Sequence, residues 1–169
     1  MKVIFLDIDG VLNYRTCKER LPNCKYIVGI EDSRVERLAK IVKATNAQII
    51  LTSTWKLNWT NEEDEQGIYL DRKLAKYGLH ILDSTEDDEW NRWSGIKDYL
   101  DKHSKYIESY VILDDEIFPD YMIASGLMNK LKPEIEEHLV KTDFYASDGG
   151  LQEEDVQKAI DILNKKEIK

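Results

Sequence analysis

Five short apolar runs, each closing on an acidic or hydroxyl residue, alternate along this chain with longer amphipathic stretches. The runs are residues 2–7 (KVIFLD), 48–53 (QIILTS), 79–83 (LHILD), 109–114 (SYVILD) and 138–143 (HLVKTD). The first, second and fourth carry β-branched or aromatic residues on both parities, which predicts parallel strands covered by helices on each face. Between the runs, Ser33 and Glu36 form a capping-box pattern ahead of Val35, Leu38, Ala39 and Val42 at helical spacing. Thr60 with Glu63 offers a further cap, and Leu70 to Tyr77 reads as a helix stopped by Gly78. Ile96, Tyr99, Leu100 and His103 mark a helix before the fourth run, and Val156, Ala159, Ile160 and Leu163 mark the last. Strand–helix alternation of this kind implies right-handed crossovers. The expected fold is α/β, a single Rossmann-like domain over residues 1–169 with about five parallel strands and helices on both faces.

Charge and cysteine content narrow the function. Lys and Arg total 24 against 33 Asp and Glu, a formal net charge of −9. That balance argues against a nucleic-acid binder working by blanket phosphate neutralisation, because such domains are usually basic. No apolar run approaches the roughly 18 residues needed to span a bilayer, and the first seven residues turn acidic too soon for a signal peptide. Cys17 and Cys24 fit neither a disulfide scaffold nor a zinc spacing. Reduced thiols in a cytoplasmic protein are expected, with no membrane and no obligate protein partner indicated.

In an open α/β sheet, ligands bind beyond the carboxyl ends of the strands, so the residues there matter most. The first strand ends Asp7-Ile8-Asp9-Gly10-Val11-Leu12-Asn13, the second Thr52-Ser53-Thr54-Trp55, and the fourth Asp114-Asp115-Glu116. Carboxylates at i and i+2 on extended backbone share a face, and Gly10 lets the chain turn sharply around whatever they hold. Four aspartates converging on one edge repel each other unless a cation sits among them. Hard oxygen donors without His or Cys suit Mg²⁺ better than zinc. A single strand-end Asp is often just an Asx-turn; Asp7, Asp9, Gly10, Thr52, Asp114 and Asp115 together at three strand ends are not explained that way. An EF-hand starting at Asp7 would need Gly at 12 and Glu at 18, where Leu12 and Lys18 stand, and no Walker loop is present.

Asp7-Ile8-Asp9-Gly10-Val11-Leu12-Asn13, the strand ending in Thr52, and Val111-Ile112-Leu113-Asp114-Asp115 resemble motifs I, II and IV of the haloacid dehalogenase (HAD) superfamily. Leu51-Thr52-Ser53-Thr54-Trp55-Lys56, Arg92 ahead of Ile96 to Leu100, Thr142-Asp143 and Gly150-Leu151 narrow the likeness to the HAD domain of Swiss-Army-knife RNA repair proteins. The resemblance implies a phosphatase in which Asp7 attacks phosphorus to form an aspartyl-phosphate, and Asp9 protonates the leaving oxygen and later activates water. It implies Mg²⁺ held by Asp7, the Asp9 backbone carbonyl and Asp115, with Asp114 in the outer shell. Thr52, assisted by Ser53, would donate to a phosphoryl oxygen, and a basic residue, Arg92 or Lys97, would face the phosphate. Caps in this superfamily are inserted after the first or third strand. Residues 14–32 leave room for a flap but for no large cap, which by analogy favours a large substrate such as a nucleic-acid end.

Several residues carry two readings. Arg15, Lys18, Arg20 and Lys25 follow the first motif as a solvated loop or as a flap steering a phosphorylated substrate. Trp55, Trp59, Trp90 and Trp93 serve packing or base stacking. His80, His103 and His138 read as structural, and Asp143 as a supporting group or an Asx-turn. The expected activity is a Mg²⁺-dependent phosphomonoesterase acting on a phosphorylated RNA or DNA terminus. The acidic charge favours instead a nucleotidase or small-metabolite phosphatase. A non-catalytic binding module on the same fold is the further alternative, and it would not need the second acid, Asp9.

Overall fold

Strand β1 (Lys2–Leu6) is buried on both sides, and its alternation divides the core in two. Val3 and Phe5 cluster with Ile50, Ile112, Ile96 and Tyr99, whereas Ile4 and Leu6 cluster with Ile49, Leu51, Val111 and Leu113. Residues 1–61, 63–86, 92–117 and 133–165 are described by this computed structural model. After β1 come the short strands β2 (Arg20–Leu21) and β3 (Cys24–Val28), then α1 (Asp32–Thr45), β4 (Gln48–Leu51), α2 (Lys56–Trp59) and α3 (Glu65–Ala75). The chain continues through β5 (Ile81–Ser84), α4 (Arg92–His103), β6 (Ser109–Asp114), α5 (Pro133–Glu136), β7 (Leu139–Lys141) and α6 (Glu153–Asn164).

The main sheet has the order β5-β4-β1-β6-β7, and every pairing in it is parallel. Helices α1 and α6 pack against each other on the Ile4/Leu6 side, and α4 supplies Ile96 and Tyr99 to the other. This is the α/β architecture that the apolar runs predict. The chain moves outward from β1 through β4 to β5, then returns to β6 on the other side of β1. Strand order therefore reverses at β1, and a reversal of this kind opens a crevice at the carboxyl ends. Asp7, Thr52 and Asp114 stand at those ends. None of the described helices is long and apolar enough to cross a membrane.

Two local expectations fail for identifiable reasons. The Ser33–Glu36 capping box does not form, because α1 already starts at Asp32 with Glu31 as N-cap. Glu31 instead accepts the Cys17 thiol at 3.2 Å, and Asp32 pairs with Lys73 and Lys76. Thr60 lies at the end of α2, and Asp64 rather than Thr60 caps the next helix, accepting from the Gln66 and Gly67 amides. Gly78 does follow that helix, at φ +73°. Between β1 and α1, β2 and β3 pair as an antiparallel hairpin within the 14–32 segment. His103 stacks on Tyr99 and His138 on Tyr110, each with Nδ1 at the backbone carbonyl of its ring partner, as structural histidines do.

Candidate active site

Backbone pairing brings the strand ends together before any side chain is considered. The Asp7 amide donates to the Leu113 carbonyl at 3.0 Å, and the Thr52 amide donates to the Leu6 carbonyl at 2.8 Å. Asp7, Asp114 and Asp115 each then offer a carboxylate oxygen within 4.8 Å of the others. Asp7 and Asp114 are almost fully buried. Arg92, the first residue of α4, reaches between them, 3.0 Å from Asp7 Oδ2 and 2.6 Å from Asp114 Oδ2. Asp114 also accepts the Glu116 amide on Oδ1 at 2.8 Å, so both of its oxygens are engaged by the protein. Asp115 has no such anchor from Arg92 and is only partly buried.

Gly10 is what lets Asp115 lie where it does. A Cβ at position 10 would collide with the Asp115 carboxyl carbon, and the backbone there has φ +82°. Gly10→Ala should therefore carry left-handed strain of about 1–2 kcal/mol and also push the Asp115 carboxylate aside. A lower melting temperature together with weakened Mg²⁺ binding by calorimetric titration is expected. Wild-type metal affinity in that variant would show that Asp115 need not sit against Gly10.

One arginine does not neutralise this many acids. Burial, and then the neighbouring Asp114, Asp115 and Asp9, push the Asp7 carboxyl up to about 8 against the opposing pull of Arg92. Burial and Asp114 push Asp115 up to about 7, and burial raises Asp114 as well. Such a cluster holds protons near neutral pH unless a cation takes their place. The donor set fits one. Opposite ligands of an octahedral Mg²⁺ lie about 4.2 Å apart, from bonds of about 2.1 Å, and the Asp7 and Asp115 oxygens, within 4.8 Å of each other, lie inside a comparable span.

Asp9 sits beside this cluster in a polar cradle of its own. Asn13 Nδ2 donates to its Oδ1 at 2.7 Å, and Trp55 Nε1 donates to its Oδ2 at 3.0 Å. Asn13 closes the turn as well, because its Oδ1 accepts the Gly10 amide at 3.0 Å. Thr52 is 1% exposed and its hydroxyl finds no hydrogen-bond partner, a property shared only by Thr142 among the described buried side chains. A buried hydroxyl left unsatisfied is costly and points to a missing acceptor. Ser53 is equally buried, and its Oγ accepts the Trp55 amide at 3.4 Å.

A cavity of about 220 Å³ opens above these groups, lined by Asp7, Asp9, Thr54, Arg92, Asp115, Glu116, Phe144 and Tyr145. The two candidates for the basic residue part company here. Arg92 lines the cavity, while Lys97 reaches Asp101 one turn along the exposed face of α4. The flap cations divide too. Arg15 lies over the Tyr145 ring at the cavity rim, at 5.9 Å, and Lys18 is exposed on the loop. Arg20 instead donates to the Cys17 and Glu19 carbonyls of its own loop, and Lys25 lies over Tyr26. The described tryptophans do not form a stacking platform. Trp55 is buried under Asp9, Trp59 donates to Asp71, Trp93 packs into the α4 side of the core, and Trp90 lies outside the described residues. Among the described residues the aromatic groups at the cavity are Phe144 and Tyr145, which no motif or periodicity in the sequence marks.

The comparisons agree with this geometry at the level of family. The sequence profile of one family, described as the HAD domain in Swiss Army Knife RNA repair proteins, matches residues 3–156. No curated protein matches the chain, and no solved structure does. The match runs from the first residues of β1, through all four acids and Arg92, into α6. With the acid-tipped parallel sheet and the profile in accord, the chain belongs to the family of HAD domains found in Swiss Army Knife RNA repair proteins.

Proposed function

We propose that the protein is a Mg²⁺-dependent phosphomonoesterase that works through an aspartyl-phosphate on Asp7, with a phosphorylated nucleic-acid end as substrate. The observation that carries this reading is the juxtaposition of Asp7, Asp114 and Asp115 with Arg92 and the partnerless Thr52 hydroxyl. Carboxylates alone would repel a phosphate, so a site with an arginine and an unsatisfied donor among its acids is shaped for metal plus phosphoryl group.

Phosphate monoesters hydrolyse very slowly without a catalyst, and catalysis there is mostly alignment and charge stabilisation. Asp7, at the floor of the cavity, attacks phosphorus and splits one hard displacement into two. Arg92 and Thr52 bind the equatorial oxygens, Thr52 as the donor that now lacks an acceptor, with Ser53 beside it. Asp9 gives a proton to the leaving oxygen and later takes one from water. Each carboxylate oxygen has two lone pairs, so the bonds from Asn13 and Trp55 orient Asp9 without preventing it from carrying the proton. Asp7, the Asp9 backbone carbonyl and Asp115 would hold Mg²⁺, with Asp114 outside them; the ion draws charge from the phosphoryl oxygens when bound.

The nucleic-acid end is favoured over a small metabolite by the family description and by the modest cavity, which leaves the rest of a long substrate outside. The discriminating experiment is a phosphatase panel with Mg²⁺ that includes 3′- and 5′-phosphorylated oligonucleotides, free nucleotides and sugar phosphates. Highest kcat/KM on an oligonucleotide end is expected; preference for sugar phosphates would move the reading to a metabolite phosphatase.

The metal also has a stability signature. Asp7 and Asp115 bind protons more tightly in the folded chain than in the unfolded one, where carboxyls titrate near 3.9. The folded state then holds the extra protons, so metal-free stability should fall as pH rises from about 4 to about 8. Mg²⁺ should raise the melting temperature most at the upper end of that window. Asp115→Asn should flatten the metal-free pH dependence and shrink the Mg²⁺ effect. A melting temperature indifferent to Mg²⁺ from pH 5 to 8 would remove the metal from the reading.

A further inference from the structure

Tyr145 is held at the mouth of the cavity in a way that packing alone does not require. The residue is 72% exposed, yet it lines the same cavity as Asp7 and Asp9. The loop beneath it is braced from several directions. Asp143 Oδ1 accepts the Tyr145 amide at 2.7 Å and the Ala146 amide at 3.0 Å. The Arg15 amide donates to the Phe144 carbonyl at 2.8 Å, and the Thr16 hydroxyl to the Ser147 carbonyl at 3.0 Å. Buried Arg34 binds the Gly149 carbonyl at 2.9 Å and pairs with Asp148. Phe144 supports the tyrosine edge-on, with ring centroids 5.3 Å apart at 87°. An exposed ring on an unbraced loop would mean little; this one stands on a braced backbone beside the cavity carboxylates.

Cavity size says what such a surface is for. At about 220 Å³ the cavity is smaller than the roughly 300–1,000 Å³ that encloses a whole drug-sized ligand. A phosphoryl group and its adjoining sugar fill it, and whatever the sugar carries must lie at the rim, where Tyr145 stands. We propose that Tyr145 is the stacking platform for a nucleobase, so that the phosphoryl group presented to Asp7 belongs to a nucleoside. Base–aromatic stacking tolerates every base, because each has a π-face. Arg15, whose guanidinium lies over the ring at 5.9 Å from its centroid, is placed for the next phosphate of a polynucleotide. The proposal deepens the phosphatase reading of Asp7 and rests on it.

The test compares wild type, Tyr145→Phe and Tyr145→Leu on adenosine 3′- and 5′-monophosphate and on ribose 5-phosphate. The wild-type ratio of kcat/KM, nucleotide over ribose phosphate, is expected at roughly 10- to 100-fold. Phe should keep that ratio and Leu should lose most of it. A wild-type ratio near one, or a ratio that Leu leaves unchanged, overturns the proposal. Calorimetric binding of adenosine monophosphate and ribose 5-phosphate to the Asp7→Asn protein gives the same comparison without turnover. Loss of base-dependent binding in the Leu variant then supports the platform even if the phosphatase reading fails, and equal binding of the two ligands sinks it. A phosphorylated oligonucleotide separates the two sources of the nucleoside. If it outperforms the mononucleotide and Arg15→Ser erases that advantage, the ligand is a chain end; no advantage in wild type makes it a free nucleotide.

Discussion

Asp7→Asn should lower phosphatase turnover by roughly 10⁴-fold or more, the scale on which removal of a covalent nucleophile acts. The amide is nearly isosteric, and the backbone bond from position 7 to Leu113 does not involve the side chain, so the fold should persist. The variant should even melt higher than wild type in metal-free buffer near pH 8. Burial and three neighbouring acids oppose the Asp7 charge, and the amide has none. It should also fail to bind beryllofluoride, which mimics a phosphorylated carboxylate. Most of the activity surviving in Asp7→Asn, with fold intact, would mean that water and not Asp7 attacks phosphorus.

The second large effect belongs to Asp9, and its signature is dependence on the leaving group. A positioned general acid contributes about 10²–10⁴-fold. Asp9→Asn should lose that much on an alkyl phosphate, whose leaving oxygen needs a proton, and far less on nitrophenyl phosphate, whose leaving group does not. Added Mg²⁺ should not rescue it. An amide oxygen can accept from Asn13 or from Trp55 but its NH₂ faces the other donor, so a stability loss of about 1 kcal/mol should accompany the change. Equal defects on both substrates would assign Asp9 a purely structural or metal-holding part.

How much of this was legible in the chain depends on whether a feature is local. β1, β4 and β6 could be read because burial on both faces leaves continuous apolar runs, and their acidic or hydroxyl tips follow directly. The clustering of Asp7, Asp114 and Asp115 follows from parallel strand topology once β1 lies between β4 and β6. Tyr145 was not legible. It reaches the cavity through tertiary braces from Arg15, Thr16 and Arg34, residues more than 100 positions away. Arg20 looked like part of a substrate-steering patch, but the loop's own carbonyls claim its guanidinium. The capping box at Ser33 failed in the same way: Asp32 one residue earlier is fixed by Lys73 and Lys76 from α3 and the turn after it. Charge and capping signals say which groups want partners, and tertiary structure decides which partners they get.

On the proposed mechanism Asp7 would carry the phosphoryl group during turnover. Wild-type protein mixed with Mg²⁺ and a substrate carrying radiolabelled phosphate, quenched in acid within milliseconds and digested, would reveal any such species. Transient label is expected on the peptide containing Asp7, discharged by hydroxylamine as an acyl phosphate should be and missing from Asp7→Asn. Steady release of labelled phosphate with no labelled peptide at any time, from substrate in excess, would contradict it.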